Sequence, residues 1–459
     1  MRPENEPQPI GESELPIFRL DQAAYAIFYA PGYICAVAPE QAEGFARSLV
    51  DTCEAAPVAM ATHIAQLQAH AAAALARQHA PEHFAPECLT IYLHNCCNLR
   101  CSYCFSAAAP DRQERVSLGA VAAAANLAAK ACAEHGRPLA VGLHGGGEPS
   151  IDTDFAAAAL AAVAAAAARY GVRVFRYIAT NGVCDDNTAT WLTRNFDLVG
   201  LSCDGPPAVQ DAQRPLWNGG HTSAQVCATA RILRAAGTRV LIRATITAAT
   251  ATRQVELADY FCTKFAPAEL HFEPVYGGGR AARSDKMPAA SIFIEQFLAA
   301  RRTAAGYGIP LIYAGTRLHE CHGPFCNVLR NVLNLAPGDV VTACFKCTTR
   351  NQARRRGVAI GAYDAATMQL RLDYDRITTL QQQPRTPPSC RSCFNRFHCA
   401  GACPDSCALT TAGKAAGSFR CEIQKQLAIT QLLDTASRIW RAGQSAPYTK
   451  DAVYGCSIT

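Results

Sequence analysis

Charge is scarce in this chain and nearly balanced. The 43 Lys and Arg against 37 Asp and Glu leave a formal net charge of +6. Spread this thinly, it is too weak to argue for a nucleic-acid partner. The basic run Arg354-Arg355-Arg356 reads as a solvated turn. Long apolar runs are missing too. The Ala-rich stretch from Ala156 to Ala168 is short, follows Asp152 and Asp154, and ends in Arg169-Tyr170-Gly171, which marks a helix C-terminus rather than a membrane span. Nor does the start look like a secretory signal, since Met1 to Glu14 is polar and proline-bearing. These absences predict a cytoplasmic protein with neither a membrane nor nucleic acid as a partner.

What the chain has is cysteine. It carries 23, an odd number that suits a full disulfide set poorly. Without a secretory signal, so many cysteines predict thiolate ligands in a reducing compartment. Three lie in one run, Cys97-Asn98-Leu99-Arg100-Cys101-Ser102-Tyr103-Cys104-Phe105, just after the strand-like stretch Leu89 to Leu93. Three thiolates on one tight loop can hold three irons of a [4Fe–4S] cluster and leave the fourth iron open to a ligand. A structural zinc site takes four closed ligands instead. A second group is Cys390-x2-Cys393-x5-Cys399-x3-Cys403, preceded by Cys321, Cys326 and Cys344 and followed by Cys407 and Cys421. Zinc knots compete as a reading of this second group. Cys35, Cys53, Cys132, Cys184, Cys227 and Cys262 sit in apolar settings and read as small core residues. Cys96 adjoins the first ligand and reads mainly as a packing residue.

At 459 residues, half of them apolar, the chain is long enough for two or three domains. Residues 1–86 predict a small α+β extension. It is either a packing cap or a winged-helix-like module that docks a peptide. From Leu89 onward, strands at Leu89–Leu93, Leu139–Leu143, Val172–Ile178, Leu198–Ser202, Val240–Ile246 and Leu270–Phe272 alternate with helices. That repeat predicts a parallel sheet with right-handed crossovers over 87–310. A partial (β/α)6 barrel of the TIM type fits better than a doubly wound sheet, because each polar motif falls just after a strand. A Cys-rich domain is expected at 311–430, then a C-terminal helix and tail at 431–459.

The second strand runs into His144-Gly145-Gly146-Gly147-Glu148-Pro149, where glycines let backbone approach a ligand closely. The third ends in Thr180-Asn181-Gly182. The fourth ends in Ser202-Cys203-Asp204-Gly205-Pro206, followed by Asp211 and Arg214. Arg243, on the fifth strand, either faces the same cleft or pairs within the barrel.

The C-x3-C-x2-C loop has an aromatic before its last Cys, and Gly146-Gly147-Glu148-Pro149 follows one β-α unit later. Together they resemble the radical S-adenosylmethionine (SAM) superfamily. The C-terminal cysteines resemble its SPASM extension, which holds two auxiliary [4Fe–4S] clusters. The resemblance spans about residues 88 to 425. It implies that Cys97, Cys101 and Cys104 hold the cluster that cleaves SAM to a 5′-deoxyadenosyl radical. Gly146, Gly147, Glu148, Pro149, Asn181, Ser202, Asp204 and Arg214 would contact SAM. Cys321, Cys326, Cys344 and Cys403 would hold the first auxiliary cluster, and Cys390, Cys393, Cys399 and Cys421 the second, three clusters in all. Gly338 is followed by five residues before Cys344, where the family has four, so Cys347 is an alternative ligand to Cys344. Cys347 and Cys407 are also candidate hydrogen donors to a substrate radical.

What the resemblance implies for function is a peptide or protein maturase. Such an enzyme abstracts hydrogen from a ribosomally made substrate to install a cross-link, an oxidation or an inverted centre. Its partners would be the precursor peptide and a reductant such as flavodoxin or ferredoxin. An anaerobic sulfatase-maturing enzyme is the rival within the family, but Phe345 stands where those enzymes place an Asp. An iron–sulfur electron carrier without catalysis is the rival outside it, and would need no SAM pocket.

Overall fold

The computed structural model describes residues 6–11, 15–50, 58–78, 84–276, 279–281, 287–321, 327–382, 390–399, 419–442 and 446–447. The chain forms two compact units. One comprises Met1–Ala80, Ala314–Cys326 and Gln383–Thr459, and the other Pro81–Tyr313 and Asn327–Gln382.

The first unit opens with an antiparallel sheet of β1 (Gln8–Pro9), β2 (Phe18–Asp21), β3 (Ala26–Ala30) and β4 (Tyr33–Val37). Every residue of β3 is buried, so both faces of the sheet must be covered. Successive side chains point to opposite faces. Phe28, Tyr33 and Cys35 pack with Phe45 of α1 (Pro39–Val50) and with Ile64, Leu67 and Ala71 of α2 (Val58–Gln78).

The second unit is built on seven parallel strands joined mostly by helices. In chain order these are β5 (Cys88–Ile91), α3 (Leu118–Glu134), β6 (Leu139–Leu143), α4 (Thr153–Tyr170), β7 (Val174–Thr180), α5 (Asp186–Asn195), β8 (Leu198–Ser202), α6 (Pro207–Gln213), α7 (Ser223–Ala235), β9 (Val240–Ile246), α8 (Gln254–Phe265), β10 (Glu269–Pro274), α9 (Ala290–Gly306) and β11 (Leu311–Ile312). Spatial order follows chain order, as a partial (β/α)6 core requires. The Ala-rich helices α3 and α4 bury stripes such as Ala120, Ala124, Ala128 and Ala156, Ala159, Ala166, small side chains that allow close packing. Ser117, Asp152 and Asp185 cap α3, α4 and α5 by accepting a backbone N–H.

The sheet continues beyond β5. β12 (Val332–Ala336) pairs with β5 in parallel. β13 (Val340–Thr342), α10 (Arg350–Arg355), β14 (Ala359–Asp364), β15 (Gln369–Leu372) and α11 (Tyr374–Gln382) complete the unit, β13 to β15 pairing antiparallel. The fold divides at Tyr313/Ala314, close to the expected 310/311, but the chain returns to the barrel unit at Asn327. Residues 327–382 fold with the barrel because β12 takes a full parallel register on β5, from Val332↔Cys88 to Leu335↔Ile91.

Returning to the first unit, α12 (Phe419–Ala442) lays Ala428, Ile429, Leu432, Ala436 and Ile439 against Phe18, Ile27, Tyr29 and Ile34, covering the second face of the sheet. β16 (Ala446–Pro447) pairs antiparallel with β4. Among the described residues, no helix is long and apolar enough to cross a membrane.

One glycine in the core sheet has a steric reason. A Cβ on Gly200 of β8 would stand 2.3 Å from the Tyr177 hydroxyl. Its absence lets Tyr177 of β7 lie across β8, close enough to Arg243 of β9 to raise that guanidinium's pKa. Gly200→Ala is expected to displace the Tyr177 ring at a cost of about 1–3 kcal/mol. Hydrogen exchange in β7 and β8 measures this, and protection equal to wild type would contradict it.

Candidate active site

The loop after β5 is clamped along its backbone. On one side Arg100 N donates to Pro215 O at 2.8 Å and Ser102 N to Gln213 O at 2.9 Å, with Leu99 bridged to Leu216. On the other, Gly147 N donates to His94 O at 3.1 Å and Glu148 N to Cys96 O at 2.8 Å. A Cβ on Gly147 would lie 2.0 Å from Cys96 O. This glycine is thus required by the cysteine loop itself, a physical reason distinct from the ligand approach expected from sequence. Arg280 closes the loop from below, donating from Nη1 to Cys101 O at 3.2 Å and from Nη2 to Ala108 O at 2.5 Å.

Two buried carboxylates brace this loop against the strand ends. Glu148, 3% exposed, accepts at Oε1 from Ser150 N (3.0 Å), Ser150 Oγ (2.7 Å) and Thr180 Oγ1 (2.8 Å), and at Oε2 from Asn181 N (2.6 Å). Burial raises its pKa, and these hydrogen bonds pull it back. Asn181 then donates from Nδ2 to Asn98 Oδ1 at 2.8 Å, and Asn98 donates to Val183 O at 2.8 Å. The end of β7 is thereby tied to the residue beside Cys97.

Asp204, after β8, is 0% exposed. Its Oδ2 accepts from the Tyr103 hydroxyl at 2.5 Å and from Gln213 Nε2 at 2.9 Å, and its Oδ1 from Thr245 N at 2.9 Å. Arg214 lies 3.7 Å from Oδ1 and donates to the Tyr103 hydroxyl at 2.7 Å. Arg214 is 8% exposed, and its Nε is buried with no partner. The aromatic residue in the cysteine signature thus links the loop to β8 and β9, a role no local pattern announces. Asp204 spends both oxygens on protein donors, so it orients Arg214 and Tyr103. Ser202 ends β8 in register with Arg243, and Pro149 is buried in a short 3-10 turn.

The thiols themselves lie on this braced loop. Burial pushes Cys97 up to about 12, with the Glu148 carboxylate adding to it. Burial also raises Cys101, against the pull of Arg214. Cys104 Sγ lies 3.2 Å from Ser106 Oγ, which donates to Gly146 O at 2.6 Å. Cys96 points elsewhere, its thiol donating to Pro110 O at 3.4 Å. Among the described residues, no three His, Cys, Asp or Glu side chains close to the distance of a single metal ion. The donor set suits a larger group: three soft thiols from one loop, beside a buried guanidinium with an N–H to spare.

Further along the same sheet, His144 lies between the rings of Tyr92 and Tyr177, at centroid distances of 6.0 and 6.5 Å. Arg243 is largely buried, and Tyr177 and Glu273 lie close enough to raise its pKa against the effect of burial. Burial first, and Arg243 second, pull His144 down to about 4.

In the first unit, Cys390, Cys393, Cys399 and Cys421 come close enough that the other three all raise the Cys421 thiol, after burial, to about 12. Cys393 rises to about 11, chiefly by burial. Lys425, one turn after Cys421, pairs with Glu6 at 2.5 Å. Phe394 anchors the Cys390–Cys399 turn in the core beneath α12, and His398 Nδ1 bonds Glu320 O at 2.8 Å. Cys321 belongs to this unit and Cys344 to the other. Cys347 is fully buried, and the neighbouring Cys344 thiol and burial both push its pKa up. Cys326, Cys403 and Cys407 lie outside the described residues.

The parallel β/α core thus presents three thiols on its first loop, braced by carboxylates from the next strand ends. Residues 91–249 match the Radical SAM superfamily. The chain carries a radical SAM domain, of a superfamily whose enzymes use SAM and a [4Fe–4S] cluster. Solved structures of similar fold include native anSMEcpe with bound AdoMet, 16% identical with a TM-score of 0.56, covering 77% of this chain and 99% of that one. The same enzyme with AdoMet and a Cp18Cys peptide is 17% identical with a TM-score of 0.57, covering 77% and 99%. SuiB from Streptococcus suis is 15% identical with a TM-score of 0.50, covering 86% and 95%. No curated protein matches by sequence.

Two outcomes follow from the buried groups. Asp204→Ala leaves Arg214 charged and unpaired in the core, an expected loss of about 3–5 kcal/mol, read from the urea midpoint. His144 has a folded pKa below its unfolded value of about 6.5, so its unfolded form binds a proton first as pH falls. Stability is expected to decline from about pH 6.5 toward pH 4. His144→Gln should flatten that decline, as followed by hydrogen exchange of β6 and β7 across this window; a wild-type slope in the variant would refute it.

Proposed function

We propose that this chain is a radical SAM/SPASM enzyme that modifies a peptide or protein substrate. One observation carries the proposal most: the Cys97–Cys104 loop is fixed beside Arg214, whose buried Nε has no protein partner. A buried N–H without a partner is costly, and the carboxylate of a bound amino-acid group would satisfy it. Glu148 Oε2 has a single donor, Asn181 N, and so has room for an ammonium. Bound here, SAM and a [4Fe–4S] cluster supply one-electron cleavage of SAM and hydrogen abstraction from the substrate.

The protein's own contributions then divide clearly. Cys97, Cys101 and Cys104 hold the cluster. Glu148, Asn181, Ser202 and Arg214 hold SAM, with Gly146, Gly147 and Pro149 shaping the turn beside it. Asp204 and Tyr103 aim Arg214. Cys390, Cys393, Cys399 and Cys421 hold an auxiliary cluster, supported by the convergence of their thiols on Cys421. Cys321, Cys326, Cys344 and Cys403 hold the other, as the family resemblance implies, with Cys347 as the alternative ligand to Cys344.

A peptide substrate is supported by the fold shared with anSMEcpe, solved with a Cp18Cys peptide. That likeness also favours a sulfatase-maturing reaction as the second reading. Phe345 weighs against it, because its position would carry an Asp in that group and its backbone carbonyl instead accepts from the Tyr92 hydroxyl at 2.6 Å. An electron carrier without catalysis would leave the buried Arg214 and Glu148 beside the loop unexplained.

Reconstituted anaerobically, the chain is expected to bind about twelve irons and to release 5′-deoxyadenosine from SAM under a strong reductant. Cys101→Ala should abolish that release while keeping the C-terminal irons. Retained cleavage in this variant would sink the assignment of the active cluster. Zinc in place of iron would sink the proposal as a whole.

A further inference from the structure

Beside the site lies a partly exposed patch of two arginines and a tryptophan. Arg100 sits within the cysteine loop and its side chain is exposed. Its guanidinium lies 5.6 Å from the centroid of the Trp217 ring, and that of Arg280 lies 5.0 Å from the same centroid. Trp217 is 36% exposed, unusual for so large an apolar ring. Among the described residues neither arginine makes an ion pair. Arg280 is half-buried and bonded to the carbonyls of Cys101, Cys104 and Ala108. Arg100 and Trp217 are joined to the loop through Arg100 N to Pro215 O and the Leu99–Leu216 bridge. The patch is therefore the outer surface of the segment that presents Cys97, Cys101 and Cys104.

We infer that Arg100, Trp217 and Arg280 form the docking face for a small acidic electron-transfer protein, a flavodoxin being the occupant that fits. The inference rests on the radical SAM function proposed above. Two guanidiniums with no ion pair among the described residues attract an acidic surface and steer its approach. An aromatic ring between them supplies the apolar anchor that charge alone lacks. The location suits electron delivery, because the face and the cluster ligands share one short loop. A single electron leaves the partner's reduced flavin and enters the cluster; no bond to the protein forms or breaks.

The test uses the full reconstituted chain with Arg100→Glu and Trp217→Ala, residues that hold neither the cluster nor SAM. Formation of 5′-deoxyadenosine is measured with dithionite and, separately, with reduced flavodoxin at several salt concentrations. Flavodoxin binding is also titrated directly by calorimetry. Dithionite-driven rates should stay within about twofold of wild type. The flavodoxin-driven kcat/KM should fall about tenfold or more in Arg100→Glu, with a shallower salt dependence, and the titrated affinity should fall in parallel. Unchanged flavodoxin affinity in both variants would overturn the inference. So would an equal loss with the two reductants, which would mark a role in shaping the loop. If wild type cleaves no SAM, the proposed function fails, while the titration still decides whether this face binds flavodoxin.

Discussion

A carboxylate with no access to water must find all its hydrogen bonds within the protein, and the Asp204 side chain is in that position. Its three donors are the Tyr103 hydroxyl of the cysteine loop, Gln213 at the end of α6 and the backbone of β9 at Thr245, and Arg214 adds an ion pair. None can move away without leaving a charge unsatisfied in a medium of low dielectric constant. The consequence is geometric. The cysteine loop, a connection with little regular structure of its own, takes its shape from strands that arrive a hundred residues later.

Glu148 repeats the device on the other side. Four donors from two strand ends converge on it, and the chain from Asn181 to Asn98 passes the constraint to the loop. The site is thus held at both flanks by buried anions, with the thiols between them. Glu148 opposes ionisation of Cys97, and Arg214 favours that of Cys101. Preorganisation of this kind places the cost of assembling ligands in the folding of the chain rather than in the binding of a cofactor.

Much of the core was legible in advance, because strand and helix periods differ and the chain alternates between them over its middle. β5, β6, β8 and β9 fall where apolar runs of strand length meet turn residues. β7 begins two residues later than expected, at Val174. The cysteine spacing and the glycine turn could be read because their chemistry is local. β12 could not be placed, since Val332–Ala336 is an apolar run like any other until it pairs with β5 across more than two hundred residues. The same limit hid Arg280, Gln213 and Asn98. Each acts through a contact distant in sequence, and an arginine, a glutamine or an asparagine in a loop carries no spacing signal. The reason for Gly147 was also beyond reach, for it depends on the position of Cys96 O.

The pairing of β12 with β5 has a consequence for how the chain can be divided. β5 carries the cysteine loop and is flanked by β6 on one side and β12 on the other. Cutting the chain after the sixth β-α unit would bare a row of backbone N–H and C=O groups along β5, an invitation to intermolecular strand pairing. The segment that seals that row also carries Cys344 and Cys347. Loss of the C-terminal region is therefore not the removal of an accessory, since it strips the flank from the strand on which the chemistry begins.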